Sequence, residues 1–374
     1  MTKARTNASA TPAVGRNMVI NGSMNVAQRL GENAFVNSIG ASAGYFTVDR
    51  FKFAMGSTAT AGRLKMRWFD DGPAGISNKC IKLECTTADT SIAAAEALTL
   101  FTTLEDIDCV RTGHGTASAQ QITVSFYVKG NANATYVVQL LNNQHSGFIH
   151  NNRLFSVTTD WTRVEVTFQA DTTSDSEFGV TNAGGFSLGW ILHAGTGQTS
   201  ATLASNWATG GTNRAAGGES FFDSTDNTFQ LTGVQMEVGP VATEFEQETE
   251  AVTLSKCQRY CQRHPVQDQL DDGTYSTLGS AGWASSTTVG LQPTSLPTTM
   301  RLEPTATFSG NWRFVHANTA TAISSGPTII DVYSNAGAVY ITGTVGSTAL
   351  TAGAGLSLTQ NNDVDAHLIL DSEL

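Results

Sequence analysis

Two clusters of carboxylates, Glu105, Asp106 and Asp108 in one and Asp271 and Asp272 in the other, are the first candidates for chemistry. A pair of acids held at a set separation can cleave a glycosidic bond. Acidic turns can also hold calcium through oxygen ligands, so a structural calcium is admitted, and no other cofactor is expected. Spacing along a chain fixes no distance in space, and solvated turn residues are the simpler reading. Cys257 and Cys261 stand one helical turn apart, as two metal ligands would. No second Cys or His pair follows, and His264 is too near in chain to complete a tetrahedral set, so a core-facing stripe is expected. GTGQTS at 195–200 has the glycines and hydroxyls of a phosphate loop without its lysine or final glycine. No GxSxG elbow occurs.

Aromatic rings remain. Trp207, Trp283 and Trp312 sit beside Asn, Gly and Ser in expected loops. There an indole can stack on the apolar face of a pyranose, so these three are the candidate carbohydrate-binding residues. Trp68 and Trp190 fall on inward faces and are expected in the core. The reading is a non-enzymatic protein without a metal site.

The elements that must position these residues are strands. In Gln121–Lys129, Ile122, Val124, Phe126 and Val128 face one way and Thr123, Ser125, Tyr127 and Lys129 the other. Val164, Val166 and Phe168 repeat the pattern, as do Phe186, Leu188, Trp190 and Leu192, with Leu64/Met66/Trp68 and Ile81/Leu83 before them. DDG at 70–72, KGNAN at 129–133 and NAGG at 182–185 supply turn residues between runs. The pattern predicts an all-β fold, an antiparallel jelly-roll sandwich over residues 17–246. In its closing strand Phe229 and Leu231 have one parity and Val234, Met236 and Val238 the other, which predicts a β-bulge at Gly233. A connector with one short helix is expected at 247–266. A smaller β domain follows at 267–374, with strands at 289–291, 305–308, 312–315, 329–333, 339–342 and 368–370.

Composition narrows the function. Only 14% of the 374 residues are charged, and the formal net charge is −11, which argues against nucleic acid or an anionic membrane as partner. No apolar stretch approaches ~20 residues, so membrane insertion is not expected. Five cysteines at irregular spacing make a poor disulfide framework. With no apolar leader core, folding in a reducing cytoplasm is the expectation. Residues 1–16 read as an extended arm whose Lys3, Arg5 and Arg16 could dock on an acidic surface.

Several segments carry a resemblance. NMVINGSMNVAQR at 17–29, YFTVDRFKF at 45–53, LASNWATGG at 203–211 and FFDSTDNTFQLTGVQMEVGPVATEFE at 221–246 resemble tail fibres and related virion structural proteins of tailed bacteriophages. KCQRYCQ at 256–262, LPTTMRLEPTATF at 296–308 and the terminal LILDSEL are similar to their connector and C-terminal domain. QQITVSFYVKGN at 120–131 and DWTRVEVTF at 160–168 are similar to strands of carbohydrate-binding-module jelly rolls. Where related proteins tend to have two tyrosines after the arginine of the connector helix, this chain has Tyr260-Cys261. The resemblance implies a virion structural component assembled in the host cytoplasm and displayed on the particle surface. It implies a homotrimer that contacts other virion proteins and can bind host cell-surface glycans. The favoured role is a tail fibre docked through its N-terminal part. The alternatives are a capsid fibre or head decoration protein, and, from another class, a fibre-borne glycan depolymerase.

Overall fold

The computed structural model describes residues 15–30, 35–56, 61–173, 177–265, 276–279, 281–317, 319–363 apart from 334–336, and 365–374. Two compact units divide the chain, Met1–Thr249 with Leu374, and Glu250–Glu373.

The first unit's strands are β1 (Phe35–Ile39), β2 (Ala43–Gly44), β3 (Lys52–Met55), β4 (Arg63–Phe69), β5 (Cys80–Thr87) and β6 (Ala97–Glu105). They continue with β7 (Ile122–Gly130), β8 (Ala134–Asn142), β9 (Ile149–Val157), β10 (Thr162–Phe168), β11 (Gly184–Ala194) and β12 (Thr228–Val238). They form two six-stranded antiparallel sheets in the orders β1-β4-β5-β12-β7-β10 and β2-β3-β6-β11-β8-β9. This is the expected jelly-roll sandwich. Alternation seals it: Ile122, Val124, Phe126 and Val128 from β7 meet Phe186, Leu188, Trp190 and Leu192 from β11 in one buried core.

The bulge is where the parity break placed it. The β12–β7 register slips between Thr232 and Gln235, and Gly233 takes φ +59. The slip turns Phe229, Leu231, Val234 and Met236 all inward, each fully buried.

Two outer faces are covered, which the alternation did not reveal. Thr123 and Ser125 point away from the core yet are buried. Thr123 Oγ1 donates to Gly239 O at 2.7 Å, so the chain leaving β12 returns over that face. On the second sheet, segment 201–215 lies along β8 and β9. His150 and Ala208 exchange backbone hydrogen bonds of 2.9 Å, and Arg214 Nη2 donates to Gln139 Oε1 at 2.6 Å.

The second unit holds a helix, Glu250–Gln258, and the strands β13 (Cys261–His264), β14 (Gly282–Ala284), β15 (Val289–Ser295), β16 (Thr305–Ser309) and β17 (Trp312–His316). β18 (Thr319–Tyr333), β19 (Ala338–Val345), β20 (Gly355–Gln360) and β21 (His367–Asp371) complete it. Six strands close a barrel, β14-β15-β19-β18-β17-β20, beside a three-stranded sheet, β13-β21-β16. Phe314 fills the barrel, and Gly290 and Gly343 give it room: a Cβ on either would stand 2.6 and 3.2 Å from the ring. The connector differs from expectation in one respect. The helix ends at Gln258, so Cys257 is helical while Cys261 opens β13, and both are buried by different elements.

Candidate functional site

The three tryptophans have different surroundings. Trp312 lies on β17 and not in a loop, is 3% exposed, and donates Nε1–H to Ser309 O at 2.8 Å. A ring so enclosed has no face for a sugar. Trp207 closes one end of the sandwich, with His114 edge-on at 4.5 Å and Phe186 stacked at 6.0 Å between centroids. Its indole N–H is taken by Gln169 O at 2.7 Å. Trp207 is therefore mainly a packing residue.

Trp283 is the open one, at 40% exposure on the outer face of the barrel. It lies on β14 opposite Leu291 of β15, while Pro293 of β15 lies opposite Tyr340 of β19. That diagonal brings Tyr340 edge-on to Trp283, with centroids 6.2 Å apart and planes at 75°. The strands beneath read GWA, VGLQPTS and AVYITGTV, without a charged residue. The result is a ring platform on a hydrogen-bonded sheet, with Leu291 beside it and Thr342 opposite Leu291 on the next strand. Sequence reasoning missed Tyr340 because two strand pairings, not proximity in chain, bring it to the indole. The alternation of Val339, Ile341 and Gly343 inward was the signal that puts it outside.

The carboxylates do structural work. Asp106 begins a one-turn helix, Asp106–Cys109, and is 2% exposed. Its Oδ1 accepts the Gly179 N–H at 2.9 Å and Oδ2 the Thr181 hydroxyl at 2.8 Å, which fastens loop 179–183. Glu105 is buried at the end of β6 and Asp108 is exposed on the helix. Asp271 and Asp272 lie outside the described residues, as do Lys3 and Arg5. Arg16 is engaged inside its own unit: Nη2 donates to Glu244 O at 2.8 Å and Nε faces Glu237 Oε2 at 3.5 Å. In GTGQTS, the Gly195 and Gly197 N–H groups that a phosphate would need donate to Glu96 O and Ala94 O. Among the described residues no group of three or more His, Cys, Asp or Glu converges to hold a metal ion.

Buried histidines are the titratable groups that sequence did not single out. His193 Nδ1 lies 2.8 Å from Ser220 Oγ and Nε2 lies 3.4 Å from Glu96 Oε2. The arrangement has the members of a hydrolase triad, but Ser220 Oγ also accepts the Phe222 N–H at 3.1 Å, and His193 and Glu96 are each 1% exposed. It ties β11 to the segment entering β12. Burial lowers the His193 pKa, opposed by Glu96, and lowers that of His150.

No family model matches the chain. No curated protein matches it either. Among solved structures it is similar to the family 11 carbohydrate-binding module from Clostridium thermocellum in complex with a mixed-linked tetrasaccharide. That match has 10% identity over 57% of this chain and 100% of the other, with TM-score 0.28. The enzymatically active domain of tailspike protein 4 from bacteriophage CBA120 matches at 10% identity and TM-score 0.29, over 60% of this chain and 21% of that one. A CBM22 tandem from Paenibacillus barcinonensis Xyn10C matches at 9% identity and TM-score 0.26, over 92% and 99%. These likenesses assign this chain no ligand.

Proposed function

We propose that this chain is a tail fibre component of a tailed-bacteriophage virion, joined to the particle through its N-terminal part and holding host-surface glycans on the barrel of its second unit. The observation that carries the glycan part is the exposed Trp283 ring, set edge-on to Tyr340 at 6.2 Å over three strands, β14, β15 and β19, that hold no charged residue. Such a face presents C–H and π surface to a pyranose ring at little cost in side-chain entropy. The virion part rests on the sequence segments that resemble phage fibres from Asn17 to Leu374. Assembly as a homotrimer would multiply weak sugar contacts through effective concentration.

Glycan binding is tested by titrating the full chain with neutral host oligosaccharides and following indole fluorescence. Trp283→Ala is expected to weaken binding about tenfold with unfolding temperature unchanged. Affinity unchanged in both Trp283→Ala and Tyr340→Ala would end the assignment of this face. Immunogold labelling of intact particles tests the virion part: label at the tail supports it, label on the head assigns a capsid fibre or decoration protein, and unlabelled particles refute it. Light scattering at three chain masses supports the trimer, and one chain mass refutes it.

A further inference from the structure

A different surface, the outer face of the first sheet, carries a row of cations and rings. Strand pairing sets it: Phe35 on β1 lies opposite Arg67 on β4, Arg67 opposite Lys82 on β5, and Lys82 opposite Gln230 on β12. Gln230 in turn lies opposite Lys129 on β7. In the adjoining row Lys65 lies opposite Glu84. With strands ~4.8 Å apart, the row from β1 to β7 is roughly 19 Å long.

Three of these cations surround one carboxylate. Lys82 Nζ lies 3.4 Å and Lys65 Nζ 4.0 Å from Glu84 oxygens, and Arg67 Nη2 touches Glu84 Oε2. The rings alternate with them. Lys65 Nζ stands 3.9 Å from the centroid of Phe35, which is 49% exposed. Arg67 and Lys82 lie 5.3 and 4.7 Å from the centroid of Phe69. At the far end Lys129 pairs with Asp71 at 2.9 Å and lies 6.0 Å from the Trp161 ring. The four side chains of the Glu84 cluster keep 18 to 24% of their surface open to solvent.

Positive charge is scarce in this chain, which has 21 Lys and Arg against 32 Asp and Glu. Three cations about one carboxylate therefore make a local positive field on an acidic protein. Glu84 also shows what the cluster is shaped to hold, since a guanidinium and two ammonium groups point at a single carboxylate. The neighbouring rings offer apolar faces of the kind a pyranose covers.

We propose that this row binds a uronate-bearing polysaccharide, whose carboxylates take the place of Glu84 among Lys65, Arg67 and Lys82 while its sugar rings lie on Phe35 and Phe69. The assignment is independent of the Trp283 face. A nucleic acid fits less well, because its dense phosphates would meet the negative field of the rest of the chain.

Calorimetry of the full chain tests it, with oligogalacturonate as probe and uncharged dextran, dextran sulfate and duplex DNA as comparisons. Oligogalacturonate is expected to bind more tightly than all three and to weaken as salt rises. Arg67→Gln and Lys82→Gln are each expected to weaken it about tenfold, with Lys82→Arg restoring it. Phe35→Ala, at an exposed edge position, tests the ring contribution without threatening the fold and is expected to weaken binding as well. Equal affinity for dextran, or no effect of Arg67→Gln and Phe35→Ala, overturns the proposal. Dextran sulfate binding as tightly overturns the carboxylate assignment, and tighter DNA binding replaces the ligand class.

Discussion

His114 Nε2 lies 3.4 Å from Asp171 Oδ2, with both side chains buried at one end of the first unit's sandwich. The imidazole is wedged between Phe178, stacked at 5.5 Å, and the edges of Phe186 and Trp207 at 4.9 and 4.5 Å. Burial drives its pKa down to about 4, against the opposing pull of Asp171, while nearby His145 adds to the lowering. Lowering a base's folded pKa means that the unfolded chain takes up the proton first as pH falls. Stability from neutral His114 is thus full above about pH 6.5, declines between there and about pH 4, and then levels off. The whole window is worth on the order of 3 kcal/mol. Thermal unfolding of the first unit is expected to drop between pH 7 and pH 5, and His114→Gln to flatten that slope. Parallel slopes in the two proteins would show that His114 is not the group involved.

Gly233 has a backbone requirement and a space requirement together. Its φ is +59, and a Cβ there would stand 2.8 Å from both Ile76 Cγ2 and Tyr127 Cδ2. Gly233→Ala is expected to destabilise the first unit by about 1–3 kcal/mol, since strain and overlap add. The same change at Gly75, with φ +82 and open space around its Cβ position, gives the nearer measure of the backbone contribution alone. Urea unfolding of both variants separates the two effects. Equal losses would remove packing from the account.

Residues whose period was undisturbed were legible in sequence, and covered faces were not. β10 runs over Thr162–Phe168 and its inward Val164, Val166 and Phe168 obey alternation, because its outward Arg163, Glu165 and Thr167 stay polar, two of them holding the segment that leaves β12 by hydrogen bonds to Thr243 O and Pro240 O. β8 and β9 gave no such signal. Val137 of β8 faces outward but packs against Ala215 of the segment crossing it, as Ile191 of β11 does, so β8 reads as an apolar run without a period. His150 and Asn152 look like surface residues in sequence and are buried under the same segment. The candidate tryptophans divide for a similar reason. Gly and Asn beside Trp312 mark a turn ending one residue before the indole, whose strand then carries it into the core. Trp283 has equally small neighbours but stands on the outer side of its strand, where 40% of it stays exposed. The Phe35, Arg67 and Lys82 row needed strand order, which local pattern does not contain.

The same strand geometry explains a pair of cysteines. Cys80 and Cys85 are both on β5, five residues apart, so they face opposite sides of the sheet roughly 16 Å from each other. No disulfide can form across that distance. Cys85 joins the core, whereas Cys80 Sγ accepts from Gln230 Nε2 at 3.5 Å. Burial pushes the Cys80 and Cys109 thiols up to about 12 and Cys85 up to about 11. Iodoacetamide at pH 8 is expected to leave these three unmodified in the folded chain and to label them after denaturation. Rapid labelling of Cys80 in the native protein would show that its cover opens, since the thiolate is the reacting form.

Asp106 gives the sharpest division between attachment and cleavage. A glycosidase carboxylate must keep an oxygen free for the scissile bond or for water. Here one oxygen holds the Gly179 amide and the other the Thr181 hydroxyl, and the Asp106 amide donates to Ala183 O at 2.8 Å. Asp106→Ala removes both acceptor oxygens, so the contacts to the Gly179 amide and the Thr181 hydroxyl are both lost. Losing a buried hydrogen bond to a charged acceptor is expected to lower stability by about 1–3 kcal/mol. Proteolysis around residues 177–183 should quicken in the variant as that loop loosens, while glycan binding at Trp283 should hold. Reducing ends released from host polysaccharide by the native chain, and abolished by Asp106→Ala, would instead make this carboxylate a catalytic one.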